Sequence, residues 1–498
     1  MSPSWVRPAL WAFLGGISLF RLIYVQTIPL LPDEAVYWDW SRHLAAGYYD
    51  SGPLIALTIR AGTLLLGETV LGVRLPAVLM ALGLSWLLFD FCRRFFGRPQ
   101  LGFWVVVAAN STLLFSLGGL FHTYDTPQVF FWMLALWLGA AAVFEGRALA
   151  WYGAGAAMGL SMLAKYSSVL LPAGMILFLL TSARYRFWLR RKEPYLAAAI
   201  AFAVFSPNLV WNMTHHWVAF THVLGQGGGS YRFTTPEFIG AQAALFGPVL
   251  FIMFIWGLYR AWRLAWRGED KQRFLLWTSL PTLGLFAAMS AWTDVYANWT
   301  GPGYIAALLA SAVALTGPLA SSRPVRRWAV AGLIAGYLIV AGAHFHTPIL
   351  RALDLEPEND PTAELYGWEG VGPAVNRALA EWPEGAAPFI FTARHQLASL
   401  VAFYAAGQPE AICLYLPGQR LSQYLFWTDP ADLAGQDGLA VFKAGSRKIP
   451  ELRKLFASME LIDEVELKGP LGRVLHRLEL YRCLDFKGAD ARPARFLR

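Results

Sequence analysis

Long apolar runs recur from residue 9 to residue 343, each close to the roughly 17–25 residues that a helix needs to cross a bilayer. They lie near 9–27, 75–95, 101–118, 127–144, 149–164, 167–181, 195–211, 238–259, 273–291, 303–319 and 326–343, which predicts about eleven spans. Few folds are open to such a chain. In hydrocarbon every backbone polar group must be satisfied internally, and helices do this within one segment. Only 15% of residues are charged, against about a quarter in soluble domains, which argues against a cytosolic globular enzyme. Three cysteines in 498 residues cannot make a disulfide scaffold. Arg7 stands alone ahead of the first run, which has no small-residue cleavage site and reads as a retained span.

The scarce basic residues are unevenly divided. With the N-terminus inside, the inner connections receive Arg93, Arg94, Arg98, Arg147, Arg184, Arg186, Arg190, Arg191, Lys192, Arg260, Arg263, Arg267, Lys271, Arg273, Arg323, Arg326 and Arg327. The outer ones hold Arg42, Arg60, Arg74, Lys165 and Arg232. This is the positive-inside pattern, so the formal charge of +8 is mainly a topology signal rather than a nucleic-acid groove. An odd number of spans puts the tail outside, dividing the chain into a membrane domain, 1–348, and an outer domain, 349–498. Glu356-Pro357-Glu358-Asn359-Asp360-Pro361 reads as a linker. Beyond it, apolar runs at 389–391, 411–416, 438–442 and 474–480, with a helical pattern over 396–406, predict a small α/β domain. Cys413 and Cys483 lie in this domain, and either a disulfide or two buried thiols would suit.

Unusual polar residues collect in the outer connections, where ionisable groups near the membrane tend to be functional or paired. The first of these, 28–71, contains Pro32-Asp33-Glu34-Ala35-Val36-Tyr37-Trp38-Asp39-Trp40, which reads as an amphipathic helix starting at Pro32 and lying on the bilayer surface. Acids capping an interfacial helix explain this stretch as well as a catalytic role does. Tyr48-Tyr49-Asp50-Ser51-Gly52-Pro53-Leu54 follows. Asp125, in Phe121-His122-Thr123-Tyr124-Asp125-Thr126-Pro127, is a second carboxylate with no obvious basic partner in sequence. Lys165, in Ala164-Lys165-Tyr166, faces outward against the charge trend and calls for an anion such as phosphate, or for snorkelling to head groups. Trp211-Asn212-Met213-Thr214-His215-His216-Trp217 leads into a glycine-rich stretch, 225–231, suited to a lid. Asp294, Asn298 and Trp299 in the last outer turn suggest a sugar-binding lining or an aromatic belt.

Asp33-Glu34 after the first span, Tyr-Tyr-Asp-x-x-Pro-Leu further on, an acid before the fourth span and Ala-Lys-Tyr after the fifth resemble the bacterial membrane glycosyltransferases of the GT-C fold. The branch is that of the lipid A aminoarabinose and galacturonic acid transferases and the protein O-mannosyltransferases. The resemblance covers roughly residues 5–345. It implies a GT-C-like polytopic helical protein of a bacterial inner membrane, with a small periplasmic α/β domain. It further implies inverting transfer of a sugar from a polyprenyl phosphate, undecaprenyl above all, to a lipid, glycan or protein acceptor. By the resemblance, Asp33, Glu34 and Asp125 are the catalytic acids. Lys165 and Tyr166 meet the donor phosphate, and Tyr37, Asp50, Asn298 and Trp299 meet substrate. The cofactor question stays open between none and a divalent metal ion, for which Asp50, His215 and His216 would be the ligands. Relatives often read Tyr-Phe-Asp-His-Pro-Pro-Leu where this chain has Tyr49-Asp50-Ser51-Gly52-Pro53, so the histidine is missing.

The chemistry of such a transfer asks for two things. A departing phosphate is a weak base, so it needs positive charge rather than a strong acid, and the acceptor hydroxyl needs a base. A lysine and a carboxylate meet those needs. A transporter for an anionic lipid-linked sugar is the alternative, but its site is expected near the bilayer midplane rather than at helix ends, and no internal repeat is visible.

Overall fold

Glycine, proline and hydroxyl side chains decide which apolar runs continue as one helix. The computed structural model describes residues 4–226, 231–353, 362–383, 387–416 and 419–488; the predicted linker and most of the predicted lid stretch lie outside them. In chain order the helices are α1 (Val6–Tyr24), α2 (Pro32–Arg42), α3 (Leu54–Leu66), α4 (Val70–Phe96), α5 (Pro99–Asn110), α6 (Leu113–Gly118), α7 (Asp125–Glu145), α8 (Ala148–Ala164), α9 (Leu170–Thr181), α10 (Glu193–Thr214) and α11 (Val218–Gln226). There follow α12 (Thr235–Phe246), α13 (Pro248–Trp266), α14 (Asp270–Trp277), α15 (Leu280–Met289), α16 (Gly301–Ser321), α17 (Arg323–His344), α18 (His346–Leu353), α19 (Val371–Ala380), α20 (His395–Tyr404) and α21 (Ile449–Arg453). The strands are β1 (Phe389–Thr392), β2 (Ala411–Cys413), β3 (Gly438–Lys443), β4 (Phe456–Lys468) and β5 (Val474–Phe486).

Among the described residues 7 helices are long and apolar enough to cross a membrane: α1, α4, α7, α10, α13, α16 with its preceding turn, and α17. Several of the predicted spans are divided instead. The 101–118 run breaks at Asn110-Ser111-Thr112, where the Ser111 and Thr112 hydroxyls donate to the carbonyls of Ala108 and Ala109 (2.8 and 2.7 Å). Thr112 then caps α6 by accepting from the Phe115 amide. Gly247, at φ +78°, followed by Pro248, divides 238–259 into α12 and α13. The 273–291 run is likewise split into α14 and α15, with Pro281 in the first turn of the second. Hydropathy averages over such breaks and so does not show them.

The described residues form two compact units, one of 1–25 with 45–345 and one of 26–44 with 346–498. In the first, α4, α5, α7, α8, α9 and α16 pack round a core that includes Phe91, Trp132, Phe178 and Phe274. Arg21 of α1 is buried there, its guanidinium donating to Asn110 Oδ1 (2.9 Å) and to the Phe115 carbonyl (3.4 Å). It thereby ties α1 to the α5–α6 break. In the second unit a five-stranded sheet runs in the order β2-β1-β3-β5-β4. β1 is parallel to β2 and β3, while β5 is antiparallel to β3 and β4. Phe391, Phe442, Phe456 and Phe486 build its core. Cys413 and Cys483 are both buried free thiols.

The helix α2 belongs to this second unit, although the sequence assigned it to the membrane domain as a surface helix. It packs on α20, and its residues from Glu34 to Ser41 are buried. The tryptophans of the helix expected on the bilayer surface are core residues here, as in the edge-to-face pair of Trp38 with Phe403 at 4.9 Å.

Removing Asn110 should expose the cost of an uncompensated buried charge. Asn110→Leu is expected to destabilise the protein in detergent by about 2–4 kcal/mol, and Arg21→Met with Asn110→Leu by less. Thermal unfolding of the two variants checks this; equal losses would show that Arg21 does not depend on Asn110.

Candidate active site

Two helix ends meet at the centre of the candidate site. Asp125 is the first residue of α7, where the helix dipole favours a carboxylate, and Lys165 follows the last residue of α8, where it favours a cation. Lys165 Nζ donates to Asp125 Oδ1 at 2.7 Å, and Asn298 Nδ2 donates to Asp125 Oδ2 at 2.5 Å. The sequence left Asp125 without a basic partner; Lys165 is that partner. The ammonium also lies 4.8 Å from the ring centroid of Tyr124 and 5.8 Å from that of Trp299, a cation–π setting. Both members of the ion pair remain partly exposed, at 18% each, so the charges stay within reach of a ligand.

The turn between α8 and α9 is pinned from below. Gln128, one turn into α7, donates to Ser167 and Ser168 (2.9 and 3.0 Å), and the Ser161 hydroxyl donates to the Gln128 carbonyl at 3.0 Å. Sequence reasoning missed this set; the visible signal was Gln128 on the Asp125 face of α7 and two serines after Lys165-Tyr166. Tyr166 stacks on Phe220 (4.5 Å, 1° between planes) and its hydroxyl accepts from Asn212 at 3.4 Å.

Asp125 and Asn298 also line an apolar cavity of about 250 Å³. Its walls include Met80, Leu84, Leu113, Leu117, Phe121, Val129 and Phe130, and its polar lining is confined to Thr123, Asp125, Thr126 and Asn298. Those polar residues come from the start of α7 and the turns ahead of α7 and α16, so charge and apolar volume meet at the helix ends.

The stretch 47–53 is fastened to the same turn. Ser51 Oγ donates to the Ala164 carbonyl at 2.9 Å. A Cβ on Gly52 would stand 2.1 Å from the Leu163 carbonyl oxygen. Only glycine lets the chain approach so closely, which accounts for a residue that departs from the relatives' pattern. Asp50 faces His222, Oδ1 to Nε2 3.5 Å.

Of the other predicted residues, Asp33, Glu34 and Tyr37 belong to the second unit and His215 and His216 to the first. Asp33 is exposed in the first turn of α2, whereas Glu34 is fully buried and its carboxylate accepts the Leu31 amide at 3.1 Å. Glu34 therefore caps the helix. Tyr37 is buried and packs edge-on against Trp40 at 5.2 Å. His215 stacks on Trp211 (4.1 Å) and its Nδ1 engages the Trp211 carbonyl (2.8 Å), so Asp50, His215 and His216 form no ligand cluster among the described residues. The group that does bring ligand atoms together is Asp39, His43 and Glu410. Arg42 lies among them, 2.6 Å from Glu410 and 3.5 Å from Asp39. The carboxylates are thus already matched by a guanidinium, which fits a divalent cation poorly.

Residues 50–211 match the dolichyl-phosphate-mannose-protein mannosyltransferase family. The chain is similar to the ArnT structures of Cupriavidus metallidurans, at 14% identity. The apo form gives a TM-score of 0.67 over 95% of this chain and 98% of that one. The form bound to undecaprenyl phosphate gives 0.66 over 97% and 98%. The chain has the GT-C fold. This bears out the resemblance noted in the sequence, at the level of architecture. The chain is also 30% identical over 308 residues to the lipid A galacturonosyltransferase RgtD of Rhizobium johnstonii, covering 58% of this chain and 62% of that protein. Within this GT-C chain the matched family segment holds Asp50, Asp125, Lys165 and Tyr166, and leaves out Asp33 and Asn298.

Gly52→Ala tests the close approach. It is expected to destabilise the protein by roughly 1–3 kcal/mol through forced displacement of the loop, where Gly225→Ala, with open space around it, changes little. Thermal unfolding of both variants is the measurement, and equal midpoints would contradict the packing described.

Proposed function

We propose that the chain is an inverting glycosyltransferase taking a sugar from a polyprenyl phosphate, undecaprenyl phosphate in a bacterium, to an acceptor such as lipid A, a surface glycan or a protein. The observation that carries this reading is the junction of the Lys165–Asp125–Asn298 cluster with an apolar cavity. A ligand suited to such a place has an anionic head and an apolar chain. The cavity has room for the isoprene units next to the phosphate, and the rest of the chain would lie in the bilayer. The ArnT structure bound to undecaprenyl phosphate and the lipid A transferase RgtD support the same donor and favour lipid A as acceptor.

In this reading the acceptor oxygen attacks the anomeric carbon from the face opposite the phosphate. The bond from that carbon to the phosphate oxygen breaks, and the phosphate leaves with the electron pair. Lys165 stabilises it electrostatically, Asn298 donates a hydrogen bond, and the acceptor proton goes to a carboxylate. We assign the proton to Asp33 on the resemblance, and to Asp125 the task of holding Lys165 in position. Glu34 is a helix cap in this account, and no step requires a metal. The basic inner connections support an inner-membrane location with the sheet domain on the periplasmic side. The transporter alternative draws no support from the charges, which sit at helix ends.

The variants separate these roles. Asp33→Asn is expected to abolish transfer while the protein folds. Lys165→Ala should raise the apparent KM for the polyprenyl-phosphate donor at least tenfold, the equivalent of about 1.4 kcal/mol, and leave that of the acceptor nearly unchanged. Asp125→Asn frees Lys165, so it should lose transfer while binding polyprenyl phosphate no more weakly than wild type. Transfer of labelled sugar into envelope fractions measures the first two, and equilibrium binding the third. Wild-type transfer by Asp33→Asn, or an unchanged donor KM in Lys165→Ala, would remove the corresponding role.

A further inference from the structure

The unit that contains the C-terminal sheet also contains α2, and α2 carries Asp33. The two are joined by more than apolar contact. The Leu30 amide, just ahead of α2, donates to the Tyr404 hydroxyl at 2.8 Å, and Trp38 packs on Phe403. Tyr424 donates to Asp39 Oδ2 and shares a 2.8 Å hydrogen bond with Ser399 of α20. Arg42 donates to Glu410 Oε1 at 2.6 Å and lies 4.9 Å from the Trp38 ring centroid. His43 bonds the other oxygen of Glu410 at 3.2 Å and packs on Trp427, with centroids 4.5 Å apart.

Polar groups in this number are not needed for adhesion. Trp38, Trp40 and Val36 supply apolar burial, and the Arg42–Glu410 pair, whose Glu410 side chain is 61% exposed, contributes little net stability. These contacts instead fix orientation, because a rotated or shifted helix would separate the buried Asp39 carboxylate from Tyr424 and draw Arg42 and His43 off Glu410. Asp39 is 1% exposed, and burial pushes its carboxyl up to about 6 even with Tyr424 and Arg42 beside it, so the group is costly to keep. Asp33 lies less than two turns upstream of Asp39 on the same rigid helix, about 9 Å along its axis.

We propose that the C-terminal domain positions the acid Asp33: Asp39 and Arg42 of α2 and His43 just after it, gripped by Tyr424 and Glu410, form a clamp that sets the register of the helix. The residues of the clamp are positioning residues and touch no substrate. The proposal rests on the reading of Asp33 as the base of the transfer reaction, and it gives the C-terminal domain a part in catalysis.

The test uses the full chain in lipid nanodiscs, as wild type, Glu410→Gln, Tyr424→Phe, Glu410→Asp and Asp33→Asn. Hydrogen exchange reports on α2 and on strands β3 and β5, and transfer kinetics use a polyprenyl-phosphate sugar. Glu410→Gln and Tyr424→Phe are expected to speed exchange in α2 with β3 and β5 unchanged. They should lower kcat by roughly ten- to a hundredfold, the scale of a small misplacement, with the donor KM nearly constant. Glu410→Asp, which keeps the charge, should recover most of both. Unchanged α2 exchange, or a loosened α2 with wild-type kcat, would overturn the clamp. If Asp33→Asn keeps full transfer with α2 protected, the catalytic reading of Asp33 fails, and exchange in the other variants still decides whether the clamp holds the helix.

Discussion

The ion pair between Asp125 and Lys165 is the interaction on which the candidate site depends. It joins the start of one helix to the end of the next, each charge on the side that the helix dipole favours. Asn298 adds a third element by donating to the same carboxylate. In a protein whose surroundings exclude charge, such a cluster persists only where water or an anionic partner can reach it. Its position beside an apolar cavity is what suggests a ligand that is charged at one end and oily at the other.

Much of the architecture was legible because hydropathy and charge asymmetry are strong signals. The runs near 9–27, 127–144, 195–211 and 326–343 all fall on single long helices. Broken helices were not legible. A Thr112 cap or a positive φ at Gly247 barely changes an averaged hydropathy, yet each ends a helix. In the C-terminal sheet domain the apolar runs at 389–391, 411–416, 438–442 and 474–480 correspond to strands. β4 escaped notice because Glu460, Asp463, Glu464 and Glu466 interrupt its apolar residues at the sheet edge.

At the site the sequence could name residues but not pair them. Lys165 was recognised as a cation in need of an anion, and the anion is Asp125, forty positions earlier in the chain. Glu34, adjacent to Asp33 and chemically equivalent, turns inward to cap α2. Adjacent residues of a helix point about 100° apart, so one acid of the motif is buried while the other is exposed. The amphipathic reading of α2 failed for a related reason. Its aromatic face does seek an apolar partner, but the partner is α20, which no local pattern could supply.

The central claim is that the charged cluster and the cavity receive the phosphate and first isoprene units of a lipid donor. Photo-crosslinking with a polyprenyl phosphate carrying a diazirine near the phosphate, followed by peptide mapping, tests this directly. The account predicts labelling of α4, α6 and the start of α7, around Leu84, Leu117 and Phe130, reduced in Lys165→Ala. Labelling spread over exposed apolar positions such as Trp262 and Leu338, and indifferent to Lys165, would contradict it.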